Sequence, residues 1–133
     1  MIGQDAGLEQ VQRWCAVAVR AASAKQADNP VVLAVGPALA ITDAFIITSG
    51  ANARQVRTIV EEVEKDVKAA GGPTPRRVEG LDDARWVLMD FGDFVVHVFL
   101  GEAREFYDLE HLWADVDRWV LEPPRLVDAS GRA

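Results

Sequence analysis

The sequence predicts an α/β chain of the α+β kind, with a mixed sheet of about five strands packed against helices. Three observations carry this. Apolar residues recur at helical spacing over 8–27 and 52–70. Short runs rich in β-branched and aromatic residues recur at 31–35, 43–49, 74–79, 86–91 and 94–99. The last two runs are separated only by Gly92-Asp93, a dipeptide suited to a tight hairpin turn. At 133 residues the chain is expected to form one domain over 1–121, with a flexible tail at 122–133. A domain of this size buries roughly two-thirds of its unfolded surface and needs no staples.

In order along the chain, Leu8, Val11, Cys15, Ala18 and Ala22 mark one helical stripe, with Trp14 beside it. Cys15 has no neighbouring cation or second cysteine and is expected as an inert core thiol. Asp28-Asn29-Pro30 closes the helix, and Val31–Val35 follows as a buried strand. The short link through Gly36-Pro37 makes the next strand, Asp43–Ser49, its antiparallel neighbour. Asn52 is a good N-cap for the second helix, with Gln55 at the capping-box position. That helix buries Val56, Ile59, Val60, Val63 and Val67, and its outer face offers Glu61/Lys65 and Glu64/Lys68 as pairs. Gly71-Gly72-Pro73 stops it. Thr74–Glu79 is a short strand, and Pro75 puts it at a sheet edge. The hairpin strands Trp86–Phe91 and Phe94–Phe99 are apolar on both faces, which is the mark of a central, covered pair. Gly101–Trp113 reads as helical turns with Phe106, Leu109, Leu112 and Trp113 apolar, and 115–121 as a further short helix with Trp119 packing back.

The net charge of −7 is unevenly spread. From Glu79 to Asp117 eleven acids face only Arg85 and Arg104, a local balance of −9. Nucleic-acid binding rests on cations that displace counterions from phosphate, so nucleic acid is not the expected main contact. A segment this acidic is steered toward a basic partner, or simply keeps the surface soluble. One cysteine excludes a disulfide framework and points to a reducing cytoplasm. The first ten residues carry Asp5 and Glu9 and show no signal-peptide pattern. No apolar run reaches the ~20 residues of a membrane span.

Asp90 and Asp93 flank the hairpin turn, and His97 interrupts the second strand. Two carboxylates and an imidazole could serve acid–base catalysis or a metal, but the spacing matches no motif that requires either. The aspartates can equally form the turn or contact a partner, and His97 can be structural, interfacial or a base. Contact is expected for Asp93 and structure for His97. Ser49 has no base beside it and no nucleophile-elbow pattern. A single glycine with no P-loop lysine makes the turn before the second helix an ordinary cap. Trp86, Tyr107, Trp113 and Trp119 can be core, or, bordered by acids, an interface hot spot.

Several segments, in order, carry a resemblance to a known family: 41–50 (Ile-Thr-Asp-Ala-Phe-Ile-Ile-Thr-Ser-Gly), Arg54-Gln55-Val56, Glu79-Gly80, Trp86, 90–97 (Asp-Phe-Gly-Asp-Phe-Val-Val-His), Arg104 and 106–113 (Phe-Tyr-Asp-Leu-Glu-His-Leu-Trp). From about Leu8 to Trp113 the chain resembles the ribosomal silencing factor, or Iojap-like, family. The combination is specific where no single motif is. The chain departs from the family's usual pattern at Ala34, Ala40 and Gln55, where an acid, a serine and a histidine are common.

The resemblance implies a fold related to nucleotidyltransferases without their catalytic residues, and no cofactor or metal. It implies binding to the large ribosomal subunit through the fourteenth protein of its series, blocking small-subunit joining and lowering translation when nutrients are scarce. It also implies a homodimer when free. An acidic factor on a ribosome is expected to choose a basic protein over exposed RNA. The expected docking face is Trp86, Asp90, Asp93, Tyr107, Glu110 and Trp113, with aromatics supplying affinity and acids steering. The alternative is a nucleotide-binding, nucleotidyltransferase-like enzyme. It would need paired acids on one strand near a Gly-Ser turn, whereas Ser49-Gly50 runs in reverse order.

Overall fold

A computed structural model describes residues 2–121, with side chains from residue 7 onward; the tail expected at 122–133 lies outside the described residues. The elements are α1 (Ile2–Ala24), β1 (Asp28–Leu33), α2 (Gly36–Leu39), β2 (Ala44–Gly50), α3 (Ala53–Ala69), β3 (Arg77–Glu79), β4 (Trp86–Asp90), β5 (Phe94–Leu100), α4 (Gly101–Tyr107) and α5 (Leu109–Leu112). They build a five-stranded mixed sheet in the order β1-β2-β5-β4-β3. Only β2 and β5 run parallel. The doubly apolar strand β5 is the middle of the sheet, as its composition requires, and Pro75 precedes an edge strand.

The two faces are covered differently. Helices α1 and α3 lie over Val32, Ile46, Phe94, Val96, Val87 and Met89, the larger core. The predicted apolar face of α3 is wholly buried. Cys15 sits in this core, where burial, then the charge of Asp43, pushes its thiol up and keeps it protonated and inert. Leu8, expected on the same buried stripe, is exposed. The opposite face carries Leu33, Ile47 and Phe99 under α4, α5 and the following turn, with Leu109, Trp113 and Val116 packed on them.

Local chemistry explains the element ends. Helix α1 stops at Ala24 because Gln26 turns left-handed (φ 63°) and the Ala27 N–H bonds back to the Ala22 carbonyl at 3.0 Å. Asn52 Oδ1 accepts the Gln55 N–H at 2.8 Å, and Gln55 Oε1 accepts the Ala51 N–H at 2.6 Å, a capping box moved out by one residue. Gln55 Nε2 also donates to the Lys25 and Gln26 carbonyls at 3.1 and 3.0 Å, tying the start of α3 to the end of α1. On the outer face of α3 the ion pair that forms is Lys65–Glu62 at 3.3 Å rather than Lys65–Glu61, because the i,i+3 partner lies within reach.

The helical turns expected over 101–113 form as two helices that meet at Asp108, whose left-handed backbone (φ 47°) caps both. One expectation near the C-terminus is corrected: the stretch 115–121 forms no helix. Instead the Ala34 N–H donates to the Asp117 carbonyl at 2.8 Å and the Trp119 N–H to the Val32 carbonyl at 2.9 Å, with Leu33 and Arg118 bridged antiparallel. The outer rim of β1 has backbone groups that need partners, and that demand, invisible in local periodicity, wins over helix formation. Trp119 does pack back on the core.

Candidate protein-interaction surface

The hairpin register places Trp86 opposite Phe99, Leu88 opposite His97 and Asp90 opposite Val95, so all six share one face of the sheet. On β2, Phe45 and Ile47 stand beside Val95 and His97. Rings on this face form a continuous chain. Trp113 meets Phe45 edge-on at 5.7 Å, and Phe45 meets His97 edge-on at 4.7 Å. Trp86 stacks on Phe99 at 5.0 Å and touches Tyr107 at 4.7 Å, and Tyr107 meets Phe106 at 5.1 Å. Trp86, Tyr107 and Trp113 are thus brought together by one aromatic network, with Phe45, His97 and Phe99 as its floor.

The network emerges at the surface where the α4–α5 break turns the chain outward. Phe106 is 75% exposed, Leu112 74% and Tyr107 43%. Phe106 and Leu112 belong to no expected contact set; the sequence marks them only as apolar residues of helical turns. Phe106 stands on the outer side of α4, and after the left-handed Asp108 the chain turns Leu109 and Trp113 inward and leaves Leu112 outward. Glu102, Glu105 and Asp108, in the same stretch of chain, are exposed.

The three expected acids divide. Asp90 Oδ1 accepts the Gly92 N–H at 2.8 Å and lies 3.4 Å from Arg76 Nη2, so its carboxylate holds the turn and clamps the chain entering β3. Gly92 takes φ 90° there, a conformation glycine adopts without strain. Glu110 Oε1 accepts from Arg104 Nε at 2.9 Å. The same guanidinium donates from Nη1 to the Asp28 carbonyl and to Ser49 Oγ at 2.8 and 3.2 Å, and from Nη2 to the Asn29 carbonyl at 2.8 Å. Glu110 therefore orients an arginine that fastens α4 to the β1–β2 end of the sheet. Only Asp93 is exposed, at the hairpin tip, about 20 Å along β5 from Phe99. Its carbonyl accepts the Asp43 N–H at 2.7 Å. Partial desolvation, then the Asp93 charge, raises the Asp43 carboxyl above the usual carboxylate range.

His97 is structural in its setting. It is 3% exposed, and Trp86 Nε1 donates to its Nδ1 at 3.1 Å. Burial pushes its pKa down to about 4, so it is neutral at ordinary pH.

The sequence matches the family described as "Ribosomal silencing factor during starvation" over residues 9–132. The chain belongs to the ribosomal silencing factor family. The match runs well beyond Trp113, so the β1 strap at 117–119 falls within the family region. A ribosomal silencing factor from Halalkalibacterium halodurans is 40% identical over 111 residues, covering 84% of this chain and 94% of that one. A mouse protein named "Mitochondrial assembly of ribosomal large subunit protein 1" is 38% identical over 85 residues, covering 62% of this chain and 37% of that protein. A solved Chromobacterium violaceum protein superposes with a TM-score of 0.74 at 29% identity, covering 92% and 94% of the two chains. Ser49 is buried against Arg104, and a Cβ on Gly50 would already lie 3.2 Å from Val56 and 3.3 Å from Gln55 Oε1.

Proposed function

We propose that this silencing factor binds the large ribosomal subunit through a basic ribosomal protein, the fourteenth of the large-subunit series. From there it blocks small-subunit joining by occupying the space and lowers translation under nutrient limitation. It acts in the cytoplasm, without catalysis or a cofactor, and is a homodimer when free. The observation that carries this is the aromatic face that surfaces at Phe106 and Tyr107, with Leu112 exposed nearby in sequence, in the most acidic stretch of the chain. An apolar surface in an acidic stretch suits a protein partner, and the sign of that charge suits a basic one. The mouse relative's name, with its large ribosomal subunit, points the same way. The nucleotidyltransferase alternative is disfavoured because the first amides around α3 are already engaged by Asn52 and Gln55 side chains.

The docking set keeps Trp86, Tyr107, Trp113 and Asp93 and adds Phe106 and Leu112. Asp90 and Glu110 contribute by holding the turn and Arg104. Sedimentation with separated subunits over a salt series tests this. Binding to the large subunit alone, weakening as salt rises, is expected. A folded Phe106→Asp, Leu112→Asp double variant should not sediment with it; undiminished sedimentation would reject this surface.

A further inference from the structure

Strand β5 is apolar at Val95, Val96, Val98 and Phe99, and His97 stands among them with its ring enclosed by Phe45, Trp86 and Phe99. Trp86 Nε1 is only ever a donor, so the His97 Nδ1 it meets at 3.1 Å must be bare and the ring proton must sit on Nε2. That Nε2 is buried with no hydrogen-bond partner among the described residues. An orphaned buried donor costs about 1–3 kcal/mol, which a phenylalanine or leucine here would avoid. What histidine supplies in return is one acceptor, aimed at the half-buried indole at the root of the aromatic face.

We infer that His97 is a positioning residue for docking: its Nδ1 fixes the Trp86 indole in a single orientation, and through it the Tyr107 ring tilted against it. The inference rests on the docking reading above. An indole has two side-chain torsions, and without an acceptor the ring can flip to send its N–H toward water, breaking its stack on Phe99 at 5.0 Å and its contact with Tyr107 at 4.7 Å. A partner would then bind only the fraction of molecules with the ring correctly set.

Nitrogen-15 long-range correlation spectra of the wild-type protein provide the first test, with the proton expected on Nε2 of His97. A proton on Nδ1 overturns the inference. Two variants provide the second. In His97→Asn the amide oxygen falls near the place of Nδ1 and keeps an acceptor, whereas His97→Phe keeps the ring volume and loses it. His97→Phe is expected to lower hydrogen-exchange protection of the Trp86 indole and to weaken large-subunit binding about tenfold, with His97→Asn close to wild type in both. Equal behaviour of the two variants, or a loosened indole with unchanged binding, overturns it. The docking reading fails separately, if Trp86→Ala binds large subunits as the wild type does; the indole measurement needs no ribosome. If His97→Phe does not fold, the wild-type tautomer and His97→Asn still decide.

Discussion

Arg104 and Glu110 are joined Nε to Oε1 at 2.9 Å, and the remaining nitrogens of that guanidinium reach the carbonyls of Asp28 and Asn29 at 2.8 Å. An arginine late in the chain thereby fastens α4 to the first strand of the sheet. Glu110→Ala leaves this cation without its counter-charge in a site only 11% exposed on the arginine side. A loss of about 1–3 kcal/mol in denaturant unfolding is expected, between a surface and a fully buried pair. Large-subunit binding by the still-folded variant should persist. Lost binding at unchanged stability would instead make Glu110 a contact residue.

The exposed rings should behave in the opposite way. Phe106→Ala and Leu112→Ala remove side chains that the free protein scarcely buries, so stability should change by less than about 0.5 kcal/mol. If the patch docks, each should raise the half-saturation for large subunits about tenfold, as central interface residues do. Equilibrium unfolding and subunit sedimentation on the same samples separate the two effects.

Acid should weaken the fold through His97. The unfolded imidazole titrates near 6.5 and the folded one near 4. Below 6.5 the unfolded chain takes up a proton that the folded chain refuses, so this stability is complete above 6.5 and is lost as pH falls toward 4. The size is about 3 kcal/mol, and His97→Phe should flatten the pH dependence of unfolding in that window.

Asp43 has the reverse sign. Its raised carboxyl favours the folded state when protonated, and that advantage is lost as pH rises through its folded value. Asp93→Asn removes the second of its two causes and should stabilise the protein at neutral pH by less than about 1 kcal/mol, measured by thermal unfolding. A destabilised Asp93→Asn would show that the Asp93 charge has a partner more important than Asp43.

At the hairpin turn, Asp90→Ala frees the Gly92 N–H and the Arg76 side chain together. A cost of about 1–2 kcal/mol is expected in urea unfolding. Asp90→Asn keeps an acceptor for the amide and should recover most of it.

Periodicity and composition sufficed for elements whose hydrogen bonds are local. The face of α3, the Asn52 cap, the hairpin around Gly92 and the central place of β5 are all written in neighbouring residues. The parallel pairing of β2 with β5 and the strap on β1 depend on residues far apart in the chain, and no local pattern encodes them. At the candidate surface, Trp86, Tyr107 and Trp113 were legible as aromatics among acids. The pairing of Glu110 with Arg104 was not legible, because a carboxylate's partner is not readable from its position in the sequence. Leu112 was hidden by the left-handed Asp108, which redirects the side chains after it, and Phe106 by the short α4, whose outer side nothing else among the described residues covers. The role of His97 lay in a cross-strand pairing, which only the register reveals.

The strap at 117–119 also bears on how the molecule survives at high concentration. It occupies the outer rim of β1, and the opposite rim is the three-residue β3, whose Arg77 and Glu79 carry charge. Among the described residues, neither end of the sheet offers a long bare strand onto which another chain could zip. A chain ending at Trp113 would keep the aromatic face but uncover that rim, becoming a seed for strand-to-strand polymerisation. Residues 117–119 thus act as a seal that closes the β1 rim against strand-by-strand growth.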